Sequence, residues 1–249
     1  MSGEPWLILP TYNEAENIEA IVRAAGEVLG AATSGASAGP GFRILVVDDG
    51  SPDGTGDIAE RLAAGHEWVE VLHRAEKNGI GPAYLAGFRH ALDRGAGYLM
   101  EMDSDFSHDP ADLARLLAAT DPAAPGGGAD LALGSRYVPG GGVADWSLLR
   151  RLISEGGSTY ARWVLGLDLR DLTGGFKCFR REVLEAVHFG GVRSQGYAFQ
   201  VELTYRAVKA GFRVVEVPIV FRDRQRGSSK MSWRIAAEAM WLVPRLRFR

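Results

Sequence analysis

Tyr98-Leu99-Met100-Glu101-Met102-Asp103-Ser104-Asp105 is an apolar run that closes on two carboxylates, and the same plan recurs along the chain. The β-rich run at 6–10 leads into Thr11-Tyr12-Asn13-Glu14, the run at 43–49 into Gly50-Ser51, and the run at 130–137 carries Gly134-Ser135-Arg136. Helical patterns separate these runs. Asn13 is expected to cap the first helix, with Glu16 three residues on and Ile18, Ile21, Val22, Ala25 and Leu29 at helical spacing. Further helices are expected near 55–64, 81–94, 109–120, 148–165 and 197–210, with further strands at 69–74, 98–103 and 214–221. A loop is expected over 31–41, and a turn over 171–176. Strands alternating with helices predict an α/β fold built on a mostly parallel sheet flanked by helices. In such open sheets ligands bind beyond the carboxyl ends of the strands, where these polar residues fall.

Composition narrows the class. The 249 residues are 46% apolar and 24% charged, which excludes a disordered or fibrous chain. The single cysteine, Cys178, rules out an intrachain disulfide and reads as a small buried hydrophobe. No repeat of solenoid period is visible. No apolar run reaches the roughly 20 residues of a membrane span, and Met1-Ser2-Gly3-Glu4-Pro5 lacks the basic start of a secretory leader. A cytoplasmic protein, peripheral on the cytoplasmic face of the membrane, is expected.

The net charge of −3 conceals a basic end: Arg222, Arg224, Arg226, Lys230, Arg234, Arg245, Arg247 and Arg249 face only Asp223 and Glu238. A basic end on an acidic body suits an anionic partner, whether phosphate, lipid surface or nucleic acid. The last 18 residues form their own helical pattern. Arg234, Glu238, Arg245 and Arg249 share a narrow polar stripe, while Trp233, Ile235, Ala236, Met240, Trp241, Leu242 and Val243 cover most of the rest. Such a helix docks on the body, on a partner or at a bilayer interface, with Pro244 kinking it. The expected division is therefore a domain over 1–231 and an amphipathic basic helix over 232–249.

Asp103 and Asp105, two apart at a strand end, repel each other unless a cation lies between them. Hard ions such as Mg²⁺ or Mn²⁺ suit the pair; the alternative is turn and helix-capping acids ahead of Asp109. Asp48-Asp49 stands where an acid accepts from a ribose hydroxyl or a base N–H. Gly79-Ile80-Gly81 runs on to Tyr84 where a dinucleotide fingerprint needs a third glycine, and no phosphate-binding P-loop is present. The histidines lack zinc spacing, and His108, although close to Asp105, is expected in a surface turn. There is no G-x-S-x-G elbow for a serine hydrolase. Arg136, Arg150, Arg151, Arg224, Arg226 and Lys230 supply cationic groups suited to phosphate, and Arg224-Gln225-Arg226-Gly227-Ser228-Ser229-Lys230 reads as a loop able to close over a diphosphate.

Taken together these motifs resemble the family-2 glycosyltransferases of the GT-A, Rossmann-like fold, and within them the dolichol-phosphate (polyprenol-monophosphate) mannose synthases. The carriers are Leu9-Pro10-Thr11-Tyr12-Asn13-Glu14, Val46-Val47-Asp48-Asp49-Gly50-Ser51-Pro52-Asp53-Gly54-Thr55, Met102-Asp103-Ser104-Asp105-Phe106-Ser107-His108, Gly134-Ser135-Arg136-Tyr137, Asp171-Leu172-Thr173-Gly174-Gly175-Phe176, Gly196-Tyr197-Ala198-Phe199-Gln200 and Gly227-Ser228-Ser229-Lys230.

The resemblance implies inverting transfer of mannose from GDP-mannose to a polyprenyl monophosphate. It assigns Pro10, Tyr12, Glu14, Val47 and Asp49 to the guanosine, and Asp103 and Asp105 to the divalent ion and diphosphate with Ser107 beside them. Arg136 and Arg150 fall to the acceptor phosphate, Arg224 and Lys230 to the donor diphosphate. Ser104 stands where the family often has Ala, a change expected to be harmless. Without the spanning segments of some relatives, the tail helix or an integral membrane partner must give access to the lipid. The competing readings are glucosyl transfer from UDP-glucose to the same lipid, and a non-catalytic nucleotide-sugar-binding subunit of a membrane transferase. Nucleic-acid binding would explain the tail but not the buried acids, so no nucleic acid is expected as partner.

Overall fold

A computed structural model describes residues 3–34, 41–144, 146–192, 196–223 and 243–248. The first half follows the expected alternation. Strand β1 (Pro5–Thr11) precedes α1 (Ile18–Thr33), β2 (Arg43–Asp48) precedes α2 (Thr55–Gly65), and β3 (Val69–His73) precedes α3 (Ile80–Asp93) and β4 (Tyr98–Glu101). A 3₁₀ turn, Pro110–Asp112, then leads into α4 (Leu113–Thr120) and β5 (Leu131–Ser135). The two residues of β6 (Gly142–Val143) come before α5 (Leu148–Leu165), β7 (Lys177–Arg180), α6 (Arg181–Ala186) and α7 (Gly196–Lys209). The last strands are β8 (Val214–Pro218) and β9 (Val220–Phe221).

Seven strands form one sheet in the order β3-β2-β1-β4-β7-β5-β8. All neighbours are parallel except at β7, which runs antiparallel to both β4 and β5. The short β6 and β9 pair separately. Both faces of the sheet are covered, so its central strands are apolar on alternate sides. Leu7, Leu9, Ile44, Val46 and Met100 pack with α1 and α4, whereas Trp6, Ile8, Leu45, Val47 and Leu99 pack with α3 and α7. A third cluster joins Ala161 and Leu165 of α5 to Val201 and Tyr205 of α7, and takes in Val243 and Leu246. Of the tail expected to be helical, 243–247 is helical and lies against the body; 232–242 fall outside the described residues.

Several sequence expectations need correction. Asn13 does not cap α1. It sits in the left-handed region at φ 57°, and a turn closed by the Glu14 carbonyl, which accepts from the N–H groups of Asn17 and Ile18, delays the helix to Ile18. Asp109 does cap, its carboxylate accepting from the Ala111 N–H, but a 3₁₀ turn intervenes before α4. The strand expected over 214–221 is broken at Ile219, whose N–H bonds back to the Ser135 carbonyl. The antiparallel β7 was not expected at all. It has four residues, begins on a lysine, and follows the Asp171–Phe176 stretch read as a turn.

Packing of α3 on the sheet depends on Gly87. A Cβ there would stand 2.5 Å from Cγ2 of Ile8 and 3.3 Å from Cγ2 of Val47. Helix and strand approach only because the side chain is missing. Gly87→Ala is therefore expected to lower unfolding stability by about 1–3 kcal/mol despite its better helix propensity, measured as a reduced urea midpoint at unchanged slope.

Candidate active site

The carboxyl ends of β1, β2, β3 and β4 stand side by side, and each ends on polar residues. At the β1–β2 end, backbone amides are tied down by a turn from the neighbouring element. The N–H of Asn13 donates to the Ser51 hydroxyl at 3.0 Å, that of Glu14 to the Thr55 hydroxyl at 2.9 Å, and that of Ala15 to Asp53 at 3.0 Å. Asp53 also accepts from the backbone and hydroxyl of Thr55, and these bonds hold its carboxyl below the ordinary value although partial burial opposes them. Asp48 is buried and accepts from the Ser51 backbone and hydroxyl. Asp49 is paired with Arg74; burial raises its carboxyl above the ordinary value against the pull of that guanidinium. Lys77 stands 4.1 Å from the centroid of the Tyr12 ring.

Of the residues assigned by resemblance to the guanosine, Pro10, Tyr12, Glu14 and Asp49 thus gather at one rim. Val47 is different. Its side chain is wholly buried among Ile8, Tyr84 and Phe88. Arg74 and Lys77, which sequence reading passed over, join the rim because β3 ends beside β2. The signal was present in the sequence, since Arg74 ends the expected third strand as Asp49 ends the second.

The acidic triplet leaves β4 at Glu101. Asp103 keeps a third of its side chain exposed, while Asp105 is buried. Asp105 Oδ1 accepts from the Ser107 N–H at 3.0 Å, and the Ser107 carbonyl accepts from the N–H of Arg222 just beyond β9. The Ser104 hydroxyl donates to the Pro10 carbonyl at 3.1 Å, tying the triplet to β1. Phe106 lies at φ 60°, so the loop turns back sharply.

His108 is not in a surface turn. It is 2% exposed, its ring packed on Phe176 and Phe221 at centroid distances of 4.8 and 5.2 Å. The Asp103 N–H lies 3.4 Å from its Nδ1, which makes Nδ1 the acceptor and leaves the proton on Nε2. Burial pulls its pKa down to about 4 against the attraction of Asp105, so the ring is neutral at physiological pH.

Asp103, Asp105 and Ser107 offer hard oxygen atoms around one loop. Among the described residues no three His, Cys, Asp or Glu side chains assemble a complete metal cage. By their chemistry, oxygen donors of this kind suit a small hard divalent ion that takes its remaining ligands from water and phosphate.

Arg136, at the end of β5, is 7% exposed and held at both edges. Its Nε and Nη2 donate to the two oxygens of Asp171, each at 2.7 Å, and Nη2 also donates to the Thr173 hydroxyl at 2.9 Å. Tyr137, Trp146 and Phe221 surround the guanidinium within 6 Å. Arg150, on the first turn of α5, lies 4.3 Å from the Trp146 ring centroid and donates to Asp223 at 2.6 Å. About a third of its side chain stays exposed. The two arginines therefore share one aromatic wall, with Arg136 fixed and Arg150 at the surface. Arg151 points elsewhere, pairing with Glu155. Arg224, Arg226 and Lys230 lie outside the described residues.

Beneath the triplet is a polar group that sequence reading missed. Glu101 and Lys177 face each other across β4 and β7 and both are wholly buried. The Lys177 ammonium donates to the Gln200 carbonyl at 2.9 Å and to Gln200 Oε1. Burial pushes Glu101 up and Lys177 down, while each opposes the other's shift.

Comparison with known proteins agrees with this geometry. Residues 6–187 match the family described as Glycosyl transferase family 2. The polyprenol monophosphomannose synthase of Mycolicibacterium smegmatis is 51% identical over 238 residues, covering 95% of this chain and 84% of that protein. The undecaprenyl-phosphate mannosyltransferase of Micrococcus luteus is 47% identical, covering 96% and 91%. Among solved structures, a mannosyltransferase from Pyrobaculum calidifontis, in complex with GDP-Man and Mn²⁺, superposes with a TM-score of 0.62 at 20% identity. That match covers 95% of this chain and 61% of the other, and it establishes the GT-A-like fold. With its sheet, its acidic loop and these relatives in agreement, the chain belongs to glycosyltransferase family 2.

Proposed function

We propose that this protein transfers mannose from GDP-mannose to a polyprenyl monophosphate with inversion, giving polyprenyl-phosphate mannose. The observation that carries the reading is an acidic loop, Asp103 to Ser107, tied on one side to the polar rim at β1–β3 and on the other to the arginine–aromatic wall at Arg136 and Arg150. The names of the two close relatives supply the lipid and the sugar.

In this reaction an acceptor phosphate oxygen forms a bond to the anomeric carbon as the bond from that carbon to the diphosphate breaks, its electron pair leaving with GDP. A phosphate monoester has a second pKa near 6, so the nucleophile is already ionised and needs no general base. The protein's work is alignment and charge neutralisation. Asp103 and Asp105, with Ser107, would hold Mg²⁺ or Mn²⁺, which supplies positive charge to the departing diphosphate. Pro10, Tyr12, Glu14 and Asp49 line the nucleoside rim, and the Val47 side chain supports it from the core. Arg150 contacts the acceptor phosphate by exchanging Asp223 for it, while the fixed Arg136 adds positive potential and shapes the wall. Arg224 and Lys230 are assigned to the donor diphosphate.

The acceptor is a lipid, and α5 offers a way to it. Leu148, Leu149, Leu152 and Ile153 are 57–72% exposed on the same turns that carry Arg150 and Arg151. Apolar side chains beside basic ones suit the interface of an anionic membrane. No helix among the described residues is long and apolar enough to cross a membrane. We propose a peripheral position on the cytoplasmic face of the membrane, with α5 toward the lipid or toward an integral membrane partner.

Three outcomes test these assignments. A donor screen with radiolabelled GDP- and UDP-sugars and polyprenyl phosphate should give transfer from GDP-mannose; transfer from UDP-glucose alone would replace the mannosyl reading. Asp105→Ala should lower that transfer by at least about a hundredfold, and chelator should abolish it in the unmodified protein.

Arg150→Ala should raise KM for the lipid phosphate about tenfold or more, the cost of a charge-assisted hydrogen bond, with KM for GDP-mannose unmoved. Leu149→Asp combined with Ile153→Asp should weaken sedimentation with phosphatidylglycerol vesicles by about tenfold or more, while transfer to a short soluble acceptor persists. Unchanged vesicle binding would remove α5 from the membrane face.

A further inference from the structure

His73 ends β3, the edge strand of the sheet, with an acid at each ring nitrogen. Its Nε2 lies 2.8 Å from Oε1 of Glu60 on α2. Its Nδ1 lies 3.6 Å from Oδ2 of Asp48, its partner in the β2–β3 register. Gly56, at the start of α2, leaves room for that meeting: a Cβ there would stand 3.0 Å from Asp48 Oδ2 and 3.2 Å from His73 Cε1. Glu60 most strongly, and Asp48 with it, raise the pKa of the ring above the ordinary value, although partial burial opposes them. Among the described residues no basic side chain joins them; Arg74, the next residue, turns to Asp49.

A neutral imidazole carries one N–H and one lone pair. With the proton on Nε2, the Nδ1 lone pair faces Asp48. With the proton on Nδ1, the Nε2 lone pair faces Glu60. Either tautomer sets a lone pair against a carboxylate, and only the imidazolium offers a donor to both acids.

What hangs on Asp48 is the nucleoside rim. Asp48 is 3% exposed, and its other oxygen, Oδ1, accepts from the Ser51 backbone and hydroxyl. The Ser51 hydroxyl in turn accepts from the N–H of Asn13 at 3.0 Å, between Tyr12 and Glu14. Glu60, His73, Asp48, Ser51 and Asn13 therefore form one chain of contacts, from the exposed face of α2 to the rim.

We propose that His73 is a positioning residue for donor binding: as an imidazolium it pins Asp48, and through Ser51 and Asn13 the nucleoside rim, so that donor affinity falls as the pH rises. The inference rests on the glycosyl-transfer reading above and adds the group that holds the rim in place. The tie is complete while His73 is protonated and is lost as the pH passes upward through its folded-state pKa. His73 needs no contact with the donor in this role, so kcat at saturating donor stays unchanged.

The experiment measures Kd for GDP-mannose by calorimetry, with Mn²⁺ present, from about pH 6 to about pH 8.5, on the full-length protein. The sugar diphosphate itself does not ionise in that range. Glu101 and Lys177 have pKa values of about 7 and about 8, so each profile is read against His73→Gln, which retains both. In the unmodified protein Kd should rise about threefold across the range, the modest coupling of a half-exposed ion pair. In His73→Gln that rise should vanish, Kd staying near the high-pH value of the unmodified protein, with kcat within about twofold. By reciprocity, saturating GDP-mannose should raise the His73 pKa, read from its ring protons by NMR, by about half a unit. Glu60→Gln should lower that pKa and move the rise in Kd to lower pH. Ser51→Ala should leave the His73 pKa raised in the free protein and remove the pH dependence of Kd.

The NMR titration uses the unmodified protein, so it holds however a variant folds. A His73 pKa at the ordinary value in the free protein overturns the proposal. So does a pKa unmoved by GDP-mannose, or a rise in Kd of equal size in His73→Gln. Absence of GDP-mannose binding at every pH would refute the mannosyl reading itself, whereas binding without these signatures refutes only the role of His73.

Discussion

Crowding of carboxylates at the open ends of parallel strands is the constraint to which the rest of this structure answers. Asp48, Asp49, Glu101, Asp103 and Asp105 leave two parallel strands, β2 and β4, at the same edge of the sheet on either side of β1, and several of them are buried. Like charges so placed repel one another and destabilise the fold unless cations are built in. The cations come from the next element each time: Arg74 beyond β3 for Asp49, Lys177 on β7 for Glu101, and, on the far side, Arg136 on β5 for Asp171. Asp103 and Asp105 belong to the same row, Asp103 a third exposed and Asp105 buried, and in the proposed reaction a substrate-bound ion would supply the charge. The protein thus balances some of these acids with built-in cations and, in the proposed reaction, would leave Asp103 and Asp105 to the ligand.

The antiparallel β7 follows from the same need. A parallel strand in that place would enter from the opposite edge, with its first residue far from the acidic loop. Running antiparallel, β7 begins at the ligand edge, so Lys177 arrives opposite Glu101. The following Cys178 and Phe179 then lie buried on opposite faces of the sheet, Cys178 with the cluster under α4 and Phe179 with the cluster under α3. The strand thereby completes both layers of the core and delivers one buried charge to the site.

This division explains what was legible in the sequence. The strand–helix alternation of the first half was readable because each element announces itself locally: apolar runs of β-branched and aliphatic residues, then helical spacing. The Asp103–Asp105 loop was readable for the same reason, two acids ending an apolar run. What escaped was set by distant partners. A four-residue strand beginning on lysine looks like a loop until Glu101 and Gln200 are brought to it. His108 looks like a surface residue until Phe176 and Phe221 close over it. Arg136 reads as a phosphate-binding arginine, and nothing local announces that Asp171, 35 residues away, holds it in a buried bidentate pair. Asn13 has the chemistry of a helix cap, but it lies in the left-handed region, and the Ala15 amide that a cap there would serve donates to Asp53 instead.

The contrast between Arg136 and Arg150 shows how one wall can combine rigidity with exchange. Arg136 has two carboxylate oxygens, a threonine hydroxyl and three aromatic rings around it, so moving it would strand Asp171 as an uncompensated buried charge. It cannot be the group that leaves its partner for a substrate. Arg150 meets a single carboxylate, Asp223, which is itself 40% exposed, and exchanging that partner for a phosphate costs little desolvation. Stacking on Trp146 would hold the guanidinium in place during the proposed exchange. The apolar face of α5 starts on the same helical turn, so a lipid phosphate reaching Arg150 would arrive with its hydrocarbon chain already beside Leu149 and Ile153. In the proposed reaction, acceptor headgroup and acceptor tail would then be met by one helix, whose orientation against the sheet would set the line of attack on the sugar.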